Sequence, residues 1–398
     1  MSESLANDLT DRAIMVAGHI CLDLTPTFPH TAGSALLPGT LTRVDDLQRS
    51  VGGVVANTGL ALHQLGIKTR MLSRISDDPT GDEILRVLSD ISPSLAQDMV
   101  RISGESTSYS IVVSPPGVDR FFLHCPGCND HFHASDVTLS SGTCTRLLHF
   151  GYPPIMRTIY QQDGSELITL FQKAHEAGMA TSLDMCSVDP NSEAGKVDWK
   201  RWLKNVLPHV DLFVPSLDEL LFMLGEDDAP ATIELLERVT DQLLDYGVPV
   251  VMLKLGEYGL YLRTTPDKKI LNRISDGLLS DADQWANRSL YTSCFDVDVV
   301  STNGAGDYTI AGFLAGIVTG QQPMQALQSA VGCGASHVAN PANLPSWTDI
   351  QSHINQGWQH LSNTIDTSAM HQLSPGPPQL PGPSGLLGLW AGPNDQNF

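Results

Sequence analysis

The chain has 398 residues, of which 23 are Lys or Arg and 44 are Asp or Glu, so its formal net charge at pH 7 is −21. Nucleic acids and anionic membranes bind basic surfaces, and this acidic balance therefore argues against either as a partner. Hydrophobic residues make up 41% of the chain and charged residues 17%. That composition supplies a large core and argues against long disorder or a coiled coil as the main architecture.

The cysteines and the apolar runs bear on where the protein resides. The seven cysteines are odd in number and mostly scattered, which does not suggest a disulfide framework. Residues 1–12 lack the basic start and apolar run of a signal peptide, and no apolar stretch approaches the ~20 residues of a membrane-spanning helix. We therefore expect a soluble cytoplasmic protein in which residues 1–12 form an N-terminal extension.

Short apolar runs alternate with helix-like segments along most of the chain. Strands are predicted at Ala13–Leu24, Lys68–Ile75, Arg146–Phe150, Ala180–Met185, Leu212–Val214 and Val248–Leu255. Helices are predicted at Asn57–Gly66, Gly81–Ser89, Ser165–Ala177, Leu217–Leu224, Thr232–Tyr246 and Thr348–Ile365. This alternation predicts an α/β fold with a mostly parallel central sheet and helices on both of its faces.

Two segments depart from the alternation. Thr107–Val113 and Asp119–His124 are rich in β-forming residues and are separated by a turn, which predicts a hairpin, either apart from the main sheet or at its edge. The last 25 residues, Ser374–Phe398, contain six prolines and five glycines. That composition is typical of an extended or disordered tail, although its apolar stretch Leu386–Trp390 could instead dock on a partner.

The stretch with the clearest chemistry runs from Asp298 to Gly316 and contains Gly304-Ala305-Gly306-Asp307 before an apolar helical pattern. Small residues at a helix start let backbone N–H groups point at one place, an arrangement that binds an anion such as a transferring phosphoryl group. A carboxylate in the first turn can take a proton from an attacking hydroxyl, so the pair fits phosphoryl transfer to an alcohol. The alternative is an ordinary helix start with a favourably placed Asp307.

A second glycine site lies upstream, at Gly52 and Gly53. Paired glycines let a small ligand approach the backbone, and Asn57 can donate to and accept from sugar hydroxyls. Asp23 ends the first predicted strand, at the edge where open α/β sheets bind ligands. Taken singly, Asp23 is also explained as a turn residue and Asn57 as a helix cap.

Together these features resemble the ribokinase-like (PfkB) family of carbohydrate kinases. The resemblance rests on Asp23, on GGxxAN at Gly52–Asn57 and on TxGAGD at Thr302–Asp307, and it covers about residues 13–345. It implies transfer of the γ-phosphoryl group of ATP, with Mg²⁺, to a hydroxyl of a sugar or related small molecule.

The same resemblance implies a domain organisation. A ribokinase-like three-layer α/β/α domain is expected at residues 13–366, and a Pro/Gly-rich disordered tail at residues 367–398. A small β-sheet lid is expected near residues 25–50 and 105–125, and such a lid often provides the contact of a homodimer.

Site residues follow from the resemblance position by position. Asp307 is implied as the general base, with the backbone amides of Gly304, Ala305 and Gly306 as an anion hole. The residues implied in acceptor binding are Asp23, Gly52, Gly53, Asn57 and Arg120. The residues implied at the nucleotide are Lys254, Gly256, Gly259 and Asn303, with Glu219 organising Mg²⁺ through water.

Departures from the family pattern leave alternatives open. Ser216 stands where the family has the Asn of an NxxE motif, and Lys254 stands where it has the Thr of a TLGxxG motif. Ser301 stands where the commonest form of the GAGD motif begins with Asp. Asn303 resembles the nucleoside kinase variant of that motif, so a nucleoside kinase of the same family is one alternative, and a non-catalytic sugar- or nucleotide-sensing member is another. A dinucleotide dehydrogenase fits poorly, because no GxGxxG follows the first strand.

Two further segments carry weaker signals. Cys125, Cys128, His131 and His133 are zinc-ligand types, but all four lie within nine residues, whereas structural zinc sites usually join a CxxC pair to a distant second pair. We therefore do not expect zinc there. The segment Asp281–Phe295 has the character of an insertion to which the sequence assigns no role.

Overall fold

Strands and helices alternate along most of the chain. The computed structural model describes residues 12–29, 39–115, 121–139, 144–226, 229–274, 278–279, 281–342, 346–362, 364–373, 388–392 and 395. The strands are β1 (Ala13–Gly18), β2 (Cys21–Pro26), β3 (Leu47–Gly52), β4 (Lys68–Leu72), β5 (Arg74–Ser76), β6 (Val100–Ile102), β7 (Tyr109–Val113), β8 (Phe121–Cys125), β9 (Thr145–Gly151), β10 (Ala180–Leu183), β11 (Leu212–Phe213), β12 (Val250–Lys254), β13 (Leu260–Thr264), β14 (Ser289–Thr292), β15 (His371–Gln372) and β16 (Leu389–Ala391). The helices are α1 (Gly53–Gln64), α2 (Pro79–Ile91), α3 (Pro93–Ala96), α4 (Arg157–Tyr160), α5 (Ser165–Glu176), α6 (Trp199–Val206), α7 (Leu217–Leu224), α8 (Ile233–Asp245), α9 (Lys268–Leu271), α10 (Ala282–Trp285), α11 (Ala305–Val318), α12 (Pro323–Ala339) and α13 (Trp347–Asn355).

A ten-stranded sheet forms the centre of the molecule, in the order β15-β16-β14-β13-β12-β11-β10-β9-β1-β4. The strands from β4 to β12 pair in parallel, and the pairs from β12 to β15 are antiparallel. Parallel strands need helical crossovers, which cover both faces of the sheet. The predicted mostly parallel sheet with helices is confirmed.

The core lies in two layers, one on each face of this sheet. Along β1, Ile14 and Val16 pack into the layer that also holds apolar residues of α1, α11 and α12. Met15 and Ala17 pack into the other layer, with residues of α5, α6, α7 and α8. Alternate residues of a strand point to opposite faces, so a strand buried on both sides is apolar throughout. This explains why β1 appears in the sequence as a continuous apolar run.

A separate four-stranded sheet, in the order β3-β2-β7-β8, contains the predicted hairpin as β7 and β8. The prediction of one strand over Ala13–Leu24 is wrong, because the chain leaves the central sheet at Gly18 and enters the small sheet at Cys21. Gly18 has φ +126°, and a Cβ there would overlap the carbonyl oxygen of Gly151. The sharp change of direction therefore depends on glycine.

The C-terminal segment is more ordered than its composition predicts. Strand β16 pairs antiparallel with β14, and Leu389 and Ala391 are fully buried. Arg288 also forms an almost fully buried ion pair with Asp395, at 2.9 Å. The edge of β14 offers unpaired backbone groups, and this short apolar run satisfies them despite the surrounding prolines and glycines. The prediction of a disordered tail is therefore wrong for these residues, whereas residues 374–387 lie outside the described part.

Two other segments also differ from expectation. The segment Asp281–Phe295, interpreted from the sequence as an insertion, contributes α10 and β14 and thus supplies a strand of the central sheet. The helix predicted over Thr348–Ile365 ends at Asn355. Within the described ranges, no helix combines the length and apolar character that a bilayer span requires.

Candidate active site

Asp307 lies in the first turn of α11. The helix begins directly after Gly304, whose φ of +75° is in the left-handed region that glycine favours. The Ala305 N–H donates to the Thr302 carbonyl oxygen at 3.2 Å, so this amide of the predicted anion hole closes the turn itself. Gly304 and Gly306 are partly exposed, whereas Asp307 is only 4% exposed. The turn thus places a buried carboxylate beside an accessible helix N-terminus.

Three neutral donors surround the Asp307 carboxylate. Asn57, on α1, donates from Nδ2 to Oδ2 at 2.9 Å. The Tyr152 hydroxyl, at the end of β9, lies 2.9 Å from Oδ1 and 2.8 Å from Oδ2. The Thr58 hydroxyl lies 3.5 Å from Oδ1. Burial raises the pKa of Asp307, and the bonds from Asn57 and Tyr152 counteract that rise.

The loop before Asp307 is held from behind by a buried imidazole. His337, on α12, donates from Nε2 to the Asn303 carbonyl oxygen at 2.7 Å. Its ring stacks on Tyr308, with a centroid separation of 3.6 Å. Burial lowers the pKa of His337, which favours the neutral imidazole. The position of Asn303 is therefore set through its backbone.

The predicted acceptor residues come together where α1 meets the small sheet. Asp23, on β2, packs against Gly52 so closely that a Cβ at Gly52 would overlap its carboxylate. A Cβ at Gly53, whose φ is +82°, would lie 2.6 Å from Nδ1 of His19. Burial raises the pKa of Asp23, while bonds from Cys21 and Ser110 oppose that rise. The two glycines therefore permit close approach of Asp23 and His19.

Lys254 lies on the other side of the helix start. Its Nζ is 2.7 Å from Oδ1 of Asp184, and the two side chains are 13% and 1% exposed. The same Nζ would be 3.7 Å from a Cβ on Gly306, so the ammonium group is beside the turn. Burial disfavours its charged form, yet the carboxylates of Asp184, Glu219 and Asp307 hold the pKa of Lys254 above its ordinary value. Burial raises the pKa of Asp184, and Lys254 opposes that rise.

Glu219 is fixed by the start of α7. Ser216 caps this helix and forms a β-bridge with Lys254, which brings the helix start to the end of β12. Glu219 accepts from the Ser216 N–H through Oε2 at 2.8 Å, in a reciprocal capping box. The replacement of Asn by Ser at position 216 thus preserves the helix cap and the placement of Glu219.

The remaining predicted residues are placed by other contacts. Gly256 and Gly259 lie in the turn between β12 and β13, and a Cβ at Gly259 would overlap the carbonyl oxygen of Thr292. Gly259 is thus required by the packing of this turn against the end of β14. Arg120 lies outside the described residues, so its role in acceptor binding stays a prediction.

Sequence reasoning missed two residues of this cluster. Asp184 directly follows β10 and Tyr152 directly follows β9, and both strands end at the same edge of the central sheet. Ligands of open α/β sheets bind at the carboxyl ends of the strands. That rule, applied to every predicted strand and not only to the first, would have indicated both residues.

Known proteins are similar to this chain over most of its length. The model of the pfkB family carbohydrate kinases matches residues 11–343. Ribokinase of Schizosaccharomyces pombe is 24% identical over 323 residues, which are 78% of this chain and 88% of the relative.

Solved structures share the fold. Arabidopsis thaliana ribokinase, complexed with ribose and ATP, has a TM-score of 0.63 and 18% identity, covering 86% of this chain and 98% of that chain. The Methanocaldococcus jannaschii nucleoside kinase has a TM-score of 0.63 and 17% identity, covering 87% of this chain and 98% of that chain. The predicted ribokinase-like α/β fold is confirmed. This chain therefore belongs to the PfkB family of carbohydrate kinases, enzymes that phosphorylate a sugar with ATP.

Proposed function

We propose that this chain transfers the γ-phosphoryl group of ATP to a hydroxyl of a sugar, with Asp307 as general base. The supporting observation is the position of a buried carboxylate in the first turn of α11, between Asn57 and Lys254. The acceptor oxygen forms a bond to the γ-phosphorus, the bond from that phosphorus to ADP breaks, and the hydroxyl proton passes to Asp307.

The surroundings of Asp307 suit this role. Burial raises the pKa of the carboxyl, and donated hydrogen bonds limit the rise. Because its pKa is raised, the ionised carboxylate is a stronger base than that of an exposed aspartate. A protein that only senses a sugar or nucleotide does not need a buried base in this position. We therefore favour an enzyme over a sensing protein.

Lys254 and the turn are the proposed phosphate-binding elements. The Lys254 ammonium group lies beside Gly306, and α11 presents its positive end there. Charge that develops on the transferred phosphoryl oxygens would be stabilised by both. Because the protein as a whole carries −21, this local positive charge has to offset an unfavourable long-range field.

Glu219 is the proposed protein group for Mg²⁺. Among the described residues, no group of three or more His, Cys, Asp or Glu side chains is arranged to hold a metal ion. The residues from Cys125 to His133 are among those described. Mg²⁺ commonly binds through one or two carboxylates, several waters and substrate phosphates, and a single carboxylate beside Lys254 fits that mode. When bound, the ion neutralises phosphate charge.

A nucleoside is the second candidate acceptor. His19 stacks on Tyr152 at a centroid separation of 6.3 Å, and His124 meets His19 edge-on at 5.0 Å. Tyr152 bonds to Asp307, and His124 bonds to Ser110 of the small sheet, so these rings join the two parts of the site, where the flat face of a base could stack. Burial lowers the pKa of both imidazoles, so they are neutral at physiological pH and suit an uncharged acceptor.

We also propose that the small sheet forms a homodimer contact. Three consecutive residues of β8 expose apolar side chains: Phe121 by 43%, Phe122 by 48% and Leu123 by 56%. An exposed apolar strand of this kind is usually covered by a partner. Analytical ultracentrifugation gives the oligomeric state of the wild type and of a Leu123→Ser variant. We expect a dimer for the wild type and a weakened dimer for the variant, and a monomeric wild type would contradict the proposed contact.

The function is tested by ADP formation with a panel of sugars and nucleosides. We expect ADP release with at least one acceptor in the presence of Mg²⁺, and its loss when the metal is chelated. Asp307→Asn provides the matched inactive enzyme. Absence of acceptor-dependent ADP with every sugar and nucleoside would overturn the proposal in favour of a sensing role.

A further inference from the structure

Both oxygens of Asp307 are already occupied by donors. Oδ2 accepts from Asn57 and Tyr152, and Oδ1 accepts from Tyr152 and more weakly from Thr58. A carboxylate oxygen accepts about two hydrogen bonds. The three donors bring three protons to these four sites, and the single proton of Tyr152 is within hydrogen-bond distance of both oxygens, so the phenol occupies the place between them that an acceptor hydroxyl would take.

Tyr152 is the donor whose place an acceptor hydroxyl can take. Asn57 and Thr58 are consecutive residues in the middle of α1, which holds their backbone rigidly. Tyr152 follows the last residue of β9, and its hydroxyl lies within hydrogen-bond distance of both carboxylate oxygens. It is also, like the acceptor, a neutral hydroxyl that donates one proton. In its position and chemistry the phenol thus resembles an acceptor hydroxyl.

The backbone of Tyr152 adopts a conformation that is rare for a bulky residue. Its φ of +68° and ψ of +41° are left-handed, and the chain continues into Pro153 and Pro154. Such a conformation persists where its surroundings enforce it, which is common at functional sites. The ring is further held by stacking on His19. The hydroxyl is therefore aimed at Asp307 by the fold.

The hydroxyl also keeps its proton. Burial raises the pKa of Tyr152 well above its ordinary value, and the charge of Asp307 adds to the rise. A protonated phenol in this place donates to an ionised carboxylate and leaves no room for water between them.

We propose that Tyr152 is a specificity-determining residue that holds the acceptor-hydroxyl position against water until a sugar binds. This inference rests on the proposed function of Asp307. The side reaction that it suppresses is hydrolysis, in which a water oxygen bonds to the γ-phosphorus, the bond to ADP breaks and the water proton passes to Asp307. A sugar displaces the phenol because its other hydroxyls bind the chain as well, and water has no such additional contacts.

The test is release of inorganic phosphate from Mg·ATP without any acceptor. Tyr152→Phe removes the hydroxyl that bonds to Asp307, so that water can bond to the carboxylate in its place. We expect acceptor-free hydrolysis to rise by about tenfold, the factor that corresponds to one lost hydrogen bond. With an acceptor present, its KM should fall, because the phenol no longer competes. Adding Asp307→Asn to Tyr152→Phe should abolish the increase.

Tyr261→Phe is the matched control. Tyr261 is fully buried in the central sheet, and its hydroxyl bonds to Ser289 at 2.9 Å. The Tyr261→Phe variant should lose thermal stability without any rise in acceptor-free hydrolysis of ATP. Equal acceptor-free hydrolysis in the wild type and Tyr152→Phe would overturn this inference alone. Absence of acceptor-dependent ADP formation in the wild type would instead overturn the proposed function, and a rise in Tyr152→Phe would still support the exclusion of water.

Discussion

The two sides of the candidate site differ in how their polar groups are held. The base side, formed by Asp307, Lys254 and Asp184, is nearly buried, and each charged group there has a partner at 2.9 Å or less. The lid side, formed by β2, β3, β7 and β8, contains Asp23 but exposes the first four residues of β3 and most of β8. Preorganised groups serve chemistry, and an exposed sheet serves recognition and contact. Changes on the base side should therefore lower kcat, and changes on the lid side should raise the acceptor KM.

The largest effect is expected for Asp307→Asn. The amide cannot take the acceptor proton, so kcat should fall by about 1,000-fold, within the usual range for loss of a general base. Thermal unfolding should change little, because Asn can keep the bonds from Tyr152 and Asn57 through one oxygen. Turnover near that of the wild type in steady-state assays would remove Asp307 from the mechanism.

Lys254→Met should have the next largest effect. Removing the ammonium group beside Gly306 should lower kcat/KM for ATP by about 100-fold, as for loss of one transition-state donor. The variant should also lose about 3 kcal/mol of stability, because Asp184 stays buried without its partner.

Asp184→Asn separates these two contributions. Combined with Lys254→Met, it removes the buried carboxyl group that has lost its partner and should restore the unfolding temperature without restoring the use of ATP. If the double variant recovers kcat/KM for ATP, then Lys254 does not bind phosphate and matters only because it stabilises the fold through its ion pair with Asp184.

On the lid side, Asp23→Asn should raise the acceptor KM by about tenfold, the cost of a weakened charged hydrogen bond, and leave kcat almost unchanged. Asp45→Asn, an exposed carboxylate of the lid loop, is the matched control and should alter neither constant. A fall in kcat with constant KM in Asp23→Asn would contradict the division between the two sides.

The smallest effect is expected in the pH profile. Asp307 must be ionised, so kcat/KM should fall as the pH drops through its raised pKa, above the value of about 4 of an exposed aspartate. Asn57→Ala removes a bond that lowers this pKa, so the acid limb should move to higher pH. An unmoved limb would show that another group sets it.

The sequence predicts the base side better than its surroundings. Asp307 and its turn occur in one contiguous motif, so the local pattern suffices to find them. Tyr152 reaches Asp307 across 155 residues and Lys254 reaches Asp184 across 70, and those contacts depend on the strand order of the central sheet.

Errors in the fold have similar causes. The break at Gly18 depends on how closely Gly151 packs against it, which no periodicity reveals. The pairing of Leu389–Ala391 depends on a vacant edge at β14, whereas composition reports only that prolines and glycines surround it. Tertiary packing decides both.

The most direct test of the account is the ratio of phosphorylated acceptor to ADP, measured by mass spectrometry with the best acceptor of the panel. The account predicts one sugar phosphate for each ADP in the wild type, about 1,000-fold slower formation of both in Asp307→Asn, and excess ADP in Tyr152→Phe. Formation of ADP by the wild type without a phosphorylated acceptor would contradict it.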